Sequence, residues 1–591
     1  FYTRQSPKMT SSKEEPRGSA EVDLEKAGPP PTGQHESEDE YPGPKKLFLI
    51  MIGVYLSMFL VALDRTIIGT AIPKITDDFH SIDDVGWYAS SYLITLCAFQ
   101  LIFGRIYTFY SAKWVLLIAI GLFELGSVVC GTAPSSIAFI IGRAIAGLGS
   151  AGIFTGAVTT MIMSIPLHKR PMFQGIFGAV FGIASVCGPL VGGAFTTSVS
   201  WRWCFYINLP IGGLVMAIIL FILKSPPSKN TDTIKQQIVK LDPLGSLVFL
   251  PAIICLLLAL QWGGTTYAWA NARIIVLLIL AAVLLIIFVF IQFKSGDNAT
   301  VPIRIINQRS ILAGAYFSVM SQGSMMVLIY YLPIWFQAVK GVSAVQSGIH
   351  TLPLVLSLVV ASILSGVITQ KTGYYVGQLY ASTLLTSIGA GLLTTLTVNT
   401  GTGKWIGFQI IYGFGLGLGM QQAGMSAQTC LSKKDVMTGV SIMFFFQGLG
   451  GSIFVTVGQT VFSHSLVSNL GKIASLDTAQ IVNSGATDLK ALVPANMLET
   501  VLVQYNGAIT NTLKVAVALS CATLVTALTM EWKSIKKVKQ GGPPPVAEND
   551  NAEERSDEKS EEKSIATETN ASVATDVNTA ASGGPEASKV S

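Results

Sequence analysis

Long apolar stretches alternate with short polar breaks along this chain. About 14 of the stretches are long enough to cross a bilayer, since a span needs roughly 20 apolar residues at about 1.5 Å of rise each. They run near 47–68, 85–107, 114–131, 137–161, 172–194, 203–223, 244–261, 273–293, 311–333, 346–368, 376–397, 405–426, 438–462 and 508–530. The pattern predicts an all-α membrane protein. Residues 1–44 and the stretch after Gln540 are instead rich in Glu, Lys, Ser, Pro and Gly, and are predicted to be disordered because they bury too little to offset ordering entropy.

Composition sharpens this reading. The 591 residues are 50% hydrophobic and 12% charged, too apolar for a soluble globular protein. The formal net charge of +5 resides in loops and flanks rather than on a basic face with interleaved aromatics, so it speaks to orientation and against nucleic-acid binding. With an even span count both tails share one side. Placing them in the cytosol gives the inner loops and flanks about 20 Lys and Arg against about 7 outside, the favoured asymmetry. Asn298-Ala299-Thr300 then lies inside, where a sequon stays unglycosylated. The chain begins at Phe1 rather than Met, as a fragment or trimmed start would. Its first 44 residues lack the apolar core of a signal peptide, leaving insertion to the first span.

A repeat is visible. After the second span the chain reads Gly104-Arg-Ile-Tyr-Thr-Phe-Tyr-Ser-Ala-Lys113, and after the tenth Gly366-Val-Ile-Thr-Gln-Lys371, each a Gly-led link carrying a cation. The separation of 366 − 104 = 262 residues corresponds to six spans plus two extra ones. The predicted organisation is a tail over 1–44, a six-helix bundle over 45–223, a link and two inserted spans over 224–310, a second six-helix bundle over 311–532, and a tail over 533–591.

Charges inside spans are costly and point to function or a buried partner. Leu63-Asp64-Arg65-Thr66 sets a carboxylate and a guanidinium at the predicted outer end of the first span. They are either a snorkelling anchor or a titratable, substrate-facing pair. Arg143 sits within the fourth span beside Gly142, Gly147 and Gly149; it cannot shed its charge and requires an acid, a carbonyl or water. Glu124 in the third span lies at a similar depth and is open between a proton site and a packing hydrogen bond. In the fifth span Gly188-Pro189-Leu-Val-Gly192-Gly193 reads physically as close helix packing with a Pro kink.

Other chemistry is poorly supported. The seven cysteines are single and without CxxC, the five histidines have no metal-ligand spacing, and the glycines 413, 415, 417 and 419 belong to no phosphate-binding loop. No cofactor, metal, ATP site or obligate protein partner is implied. The partners are the lipid bilayer, a small-molecule substrate and protons.

Taken together, Asp64 to Pro73, Asp77-Asp78-Phe79, Trp87-Tyr88, Gly142 to Ala151, Gly188 to Gly193 and Trp201 to Gly213 resemble the 14-span drug:proton antiporter family of the major facilitator superfamily, fungal toxin and multidrug efflux branch. The resemblance covers about residues 45–535. It implies that Arg143 takes part in proton coupling with Asp64 and Arg65 in the first-span signature, and that Gly188, Pro189, Gly192 and Gly193 form the antiporter motif. It also implies an inner gate at Gly104 and Lys113 and at Gly366 and Lys371, although Thr108, Phe109 and Ser111 replace the acid, base and glycine usual after the second span. In the facilitator pattern the first, fourth, ninth and twelfth spans line the cavity, which nominates Gln322, Tyr331, Gln421 and Gln422 as cargo contacts. The function so implied is proton-coupled export of small amphipathic molecules from a fungal cell, at the plasma or vacuolar membrane. The rivals are an importer such as a siderophore permease, a membrane enzyme and a non-transporting sensor.

Overall fold

The computed structural model describes residues 41–81, 84–223, 233–264, 266–471 and 497–536. Most of both tails, and of the link following residue 223, lies outside these residues.

Among the described residues the chain is a succession of helices. The first half contains α1 (Pro44–Phe79), α2 (Val85–Phe109), α3 (Ala112–Thr132), α4 (Ser136–Ser164), α5 (Arg170–Ser198), the short α6 (Trp203–Tyr206) and α7 (Asn208–Ile222). A short α8 (Ile234–Lys240) leads into the inserted pair α9 (Pro243–Trp262) and α10 (Ala272–Ser295). The second half follows as α11 (Ile303–Ile306), α12 (Arg309–Ala338), α13 (Ala344–His350), α14 (Leu352–Thr372), α15 (Val376–Leu393), α16 (Thr402–Gly419), α17 (Gln422–Cys430), α18 (Val436–Leu470) and α19 (Leu498–Thr529). Thirteen helices among the described residues are long and apolar enough to cross a membrane. The twelfth predicted span, 405–426, is divided at Met420 and Gln421 into α16 and α17, and Lys404, Gln409 and several glycines dilute the apolar character of α16. With α16 counted, about 14 spanning helices form two six-helix bundles with two inserted between them.

Small residues set the helix spacing. A Cβ on Gly126 of α3 or Gly149 of α4 would strike backbone atoms of the other helix, so α3 and α4 approach as closely as main chains allow. The four-glycine series of α16 serves two neighbours at once. Gly413 and Gly417 abut the Leu354 and Leu358 carbonyls of α14, while Gly415 and Gly419 abut Leu385, Thr386 and Ser382 of α15. Residues four apart share a face, so alternate glycines open alternate faces. The ladder is a packing device.

The inserted pair is tied at its base by one buried carboxylate. Asp242 Oδ1 accepts from the Gly245 amide at 2.9 Å. Its Oδ2 accepts from Gln292 Nε2 at 2.7 Å and from the amide and hydroxyl of Thr300 at 2.8 and 2.9 Å. A buried carboxylate with all these donors is well satisfied, and it clamps the start of α9 to the end of α10. Below, "tail end" is the end of the bundle at which α1 begins and α19 finishes; the opposite end is the "far end".

Candidate functional site

The helix carrying Asp64 is longer than its apolar run. The predicted span closes at residue 68, yet α1 continues to Phe79, because Thr66, Thr70 and Thr76 return their hydroxyls to main-chain carbonyls and stay compatible with the helix. Asp64 is therefore deep inside the first bundle and fully buried. Arg143 of α4 is 1% exposed and donates from Nη1 to Asp64 Oδ2 at 2.6 Å. Its Nε donates to the Tyr88 carbonyl at 3.0 Å, and its guanidinium lies 4.5 Å from the ring centroid of Tyr92. The glycines beside it make room: Gly147 abuts Tyr92 and Thr95 of α2, and Gly142 abuts Cys130 of α3.

Polar side chains continue from the pair toward α3 and α7. Asn208, at the start of α7, directs Nδ2 at Ser127 Oγ (3.1 Å) and at the outer reach of Asp64 Oδ1 (3.5 Å). Glu124, one turn before Ser127, is packed against Gly212, and neither of its carboxyl oxygens has a hydrogen-bond partner among the described residues. Asp64, Arg143 and Glu124 thus fall in one region, with Asn208 between the carboxyls. Asn208 was missed by sequence reasoning; its signal was an amide isolated among the apolar residues that open the sixth span.

Arg65 stands apart. It is half-buried, and it has no hydrogen bond or ion pair among the described residues. The antiporter-motif residues lie on its other flank. Gly188 and Gly192 of α5 take Thr66 and Thr70 of α1 against their backbone, and Thr66 donates to the Ala184 carbonyl at 3.0 Å. Pro189 lies inside α5 and Gly193 faces open space.

The two halves cross at the tail end in matching fashion. Gly104, near the end of α2, abuts Ser441 of α18, and Gly366, near the end of α14, abuts the Pro171 carbonyl at the start of α5. Phe154 of α4 is stacked on Phe181 of α5 and lies 5.6 Å from Phe444 of α18, while Gln428 donates to Gln174 at 3.1 Å. The cations of the two links do not cross: Lys113 donates to the Leu220 carbonyl at 2.6 Å within the first half, and the carbonyl of Lys371 accepts from Lys536.

Charges from the insert take part in the tail-end contacts instead. Arg105 is 4% exposed and donates to the Lys240 carbonyl at 2.8 Å and the Asp297 carbonyl at 3.3 Å. Arg304 forks onto Asp435, just before α18, at 2.6 and 2.8 Å and reaches Asp297 at 2.5 Å. Burial pushes the Asp435 carboxyl up, but hydrogen bonds from Arg304 and Ser432 outweigh this and hold it below the usual carboxylate range. None of these was nominated from the sequence, where each is one charge among several in polar links.

The nominated cargo contacts separate into three groups. Gln322 accepts from Gln447 of α18 at 3.1 Å, and both are half-buried. Tyr331 is buried and donates to Gln459 at 3.0 Å. Gln421 lies near Gly178 at the seam between halves, whereas Gln422 turns into the second half, donating to Ser365 at 2.7 Å and Gln378 at 3.2 Å.

Two bundles meeting through glycines around a seam of amides, with an ion pair buried in the first, match a known family. The family model of the Major Facilitator Superfamily matches residues 54–455. The chain belongs to the major facilitator superfamily. This multi-pass transporter is 56% identical over 494 residues to the "MFS-type efflux pump MFS1" of Trichophyton rubrum, covering 83% of this chain and 92% of that protein. It is 51% identical over 499 residues to the "Rubrofusarin-specific efflux pump aurT" of Gibberella zeae (84% and 92%) and 49% identical over 496 residues to the "Efflux pump aflT" of Aspergillus parasiticus (83% and 96%). These relatives are fungal efflux pumps, one of them named as specific for rubrofusarin. A solved structure of the proton:xylose symporter XylE shares the fold, with a TM-score of 0.53 at 14% identity, covering 82% of this chain and 95% of that one.

Proposed function

We propose that this transporter exports small amphipathic molecules, of the drug or fungal secondary-metabolite class, in exchange for protons, and that the Asp64–Arg143 pair is where the proton acts. The observation that carries this is a carboxylate and a guanidinium, both essentially unexposed, 2.6 Å apart in the core of the first bundle. A buried ion pair is a poor stabiliser compared with an apolar pair of the same volume, so its presence favours a functional reason. Protonation of Asp64 from the far side removes the charge that holds Arg143. Its remaining partners are the Tyr88 carbonyl and the Tyr92 ring on α2 and, at 5.9 Å, the Phe205 ring of α6; none is on α1, so α1 is freed to shift against α4. Rocking of the bundle over 45–223 against that over 311–532 then opens the glycine crossings at the tail end, with the 224–310 insert alongside.

Efflux as the direction is supported by the relatives named above and by the Gly188-Pro189-Leu-Val-Gly192-Gly193 motif, whose Gly188 and Gly192 seat α1. We place the tails in the cytosol on the Lys and Arg asymmetry, and the protein in the plasma membrane. The test is flux in proteoliposomes carrying the full chain. Transport of a fluorescent amphipathic probe should follow an imposed pH gradient without ATP and collapse with a protonophore. Flux that requires ATP and ignores the gradient would overturn the reading.

A further inference from the structure

We infer that Arg65 is the cargo's counter-charge, so that the preferred substrates are small aromatic acids, meaning phenolates or carboxylates, rather than cations. This rests on the reading of the seam between the bundles as the cargo path.

The two residues flanking Arg65 fix its direction. Asp64 points to Arg143 of α4, and Thr66 points to the Ala184 carbonyl of α5. Successive helical residues leave the axis about 100° apart, so Arg65 departs on a third face, away from both contacts. It lies close enough to Tyr92 and Cys97 of α2 to act on them electrostatically. Cys97 in turn abuts Gly448 of α18, in the opposite half. Gly69, one turn further along the same face of α1, is exposed, with open space where a Cβ would be. Arg65 therefore sits at the seam between the halves and below an opening toward the far end.

The charge balance supplies the second step. Asp64 answers Arg143, and no described residue forms an ion pair or hydrogen bond with Arg65. A guanidinium cannot lose its proton, and at this depth an unanswered cation is costly unless water or an anion meets it. Its planar fork suits a planar carboxylate or a phenolate with an adjacent carbonyl. The surroundings suit an aromatic body: the amides of Gln447 and Gln322 are adjacent along the seam, and toward the tail end it is closed by the rings of Phe154, Phe181 and Phe444. A permanent cation would instead meet Arg65 as a like charge.

The test uses the full chain in lipid nanodiscs with a matched pair of probes, 1-hydroxy-2-naphthoate and its neutral methyl ester, and cationic rhodamine 6G as a third. Binding is read by tryptophan fluorescence, and flux separately in proteoliposomes. The wild type should bind the acid at least about tenfold more tightly than the ester, the scale of a charge-assisted hydrogen bond. Arg65→Gln should bring the ratio near one and Arg65→Lys should keep part of it. Should Arg65→Gln fail to insert, Arg65→Lys carries the test through the same ratio. An acid-to-ester ratio unchanged in the variant, or a wild type that prefers the ester or rhodamine 6G, overturns the inference. Acid binding that depends on Arg65 but is not followed by proton-driven flux sustains this inference and refutes the efflux reading instead.

Discussion

Replacing Arg143 with Ala tests the coupling site most directly. The wild-type pair is 2.6 Å apart with 1% and 0% exposure, so solvent screens it little. Removing one member of such a pair costs about 3–5 kcal/mol, because the remaining charge is left buried and unpaired. Among the described residues the only other side chain donating to Asp64 is Asn208, at 3.5 Å. Loss of coupling of that size corresponds to a fall in proton-driven flux of roughly two to four orders of magnitude. Flux of an amphipathic probe under an imposed pH gradient, at matched insertion, is the assay. The double replacement Asp64→Asn with Arg143→Gln keeps volume and hydrogen-bonding capacity while removing both charges, so it should restore thermal stability but not coupled flux. Arg143→Lys keeps the charge, loses the fork, and should recover part of the rate. Proton-driven flux at the wild-type rate in Arg143→Ala, or coupled flux regained in the neutral double variant, would refute the assignment and leave the pair as packing.

Four further outcomes are expected. Gly147→Val should destabilise the first bundle by about 1–3 kcal/mol through collision with Tyr92 and Thr95, read as lost insertion or a lower melting temperature. Arg304→Ala should raise amide exchange in the first turn of α18 about two- to fivefold, the scale of an exposed ion pair, and leave α4 unaffected. Because Asp435 is held below the usual carboxylate range, its contribution is present above the ordinary Asp pKa and lost only as pH falls through the depressed folded value. The protection factor at that turn, exchange corrected for its intrinsic pH dependence, should accordingly be flat between about pH 5 and 8. A tag placed after Gln540 should be unreachable by antibody in intact cells.

The fold was legible because its determinants are local and repeated. Apolar runs of bilayer length announce helices one at a time, and the recurrence of Gly104 and Gly366 after matching spans gave the two halves. The end of α1 was not legible, because hydropathy falls at Asp64 while helix geometry does not; intrahelical threonine bonds and burial against α4 and α5 carry it to Phe79. Within the site, Asp64, Arg143 and Glu124 could be nominated because charges in apolar sequence are conspicuous. Which charges pair could not be read. Asp64 and Arg65 adjoin in sequence, yet Asp64 pairs with Arg143 of α4 while Arg65, about 100° around the helix, has no ion pair or hydrogen bond among the described residues. Likewise Gln421 and Gln422 were equal candidates until the break in α16 turned Gln422 onto Ser365 and Gln378.

The distribution of strong and weak contacts bears on how such a machine can move. Asp64 and Arg143 both belong to the first bundle, so their contact does not span the seam that rocking must open. What spans the tail end is uncharged: glycine on serine at Gly104 and Ser441, glycine on a carbonyl at Gly366 and Pro171, the Ser362 hydroxyl on the Gly175 carbonyl at 2.9 Å, the Gln428–Gln174 amide pair, and a cluster of phenylalanines. The charged contact beside them, Arg304 with Asp435, lies within the second half and is exposed by 51% and 13%; contacts of that kind contribute about 1 kcal/mol or less. A closure built from several small terms can open within the thermal range, whereas one deeply buried ion pair across the seam would lock it. The strong pair is thus placed where a proton can change the shape of one bundle, and the weak contacts where that change has only to tip a balance.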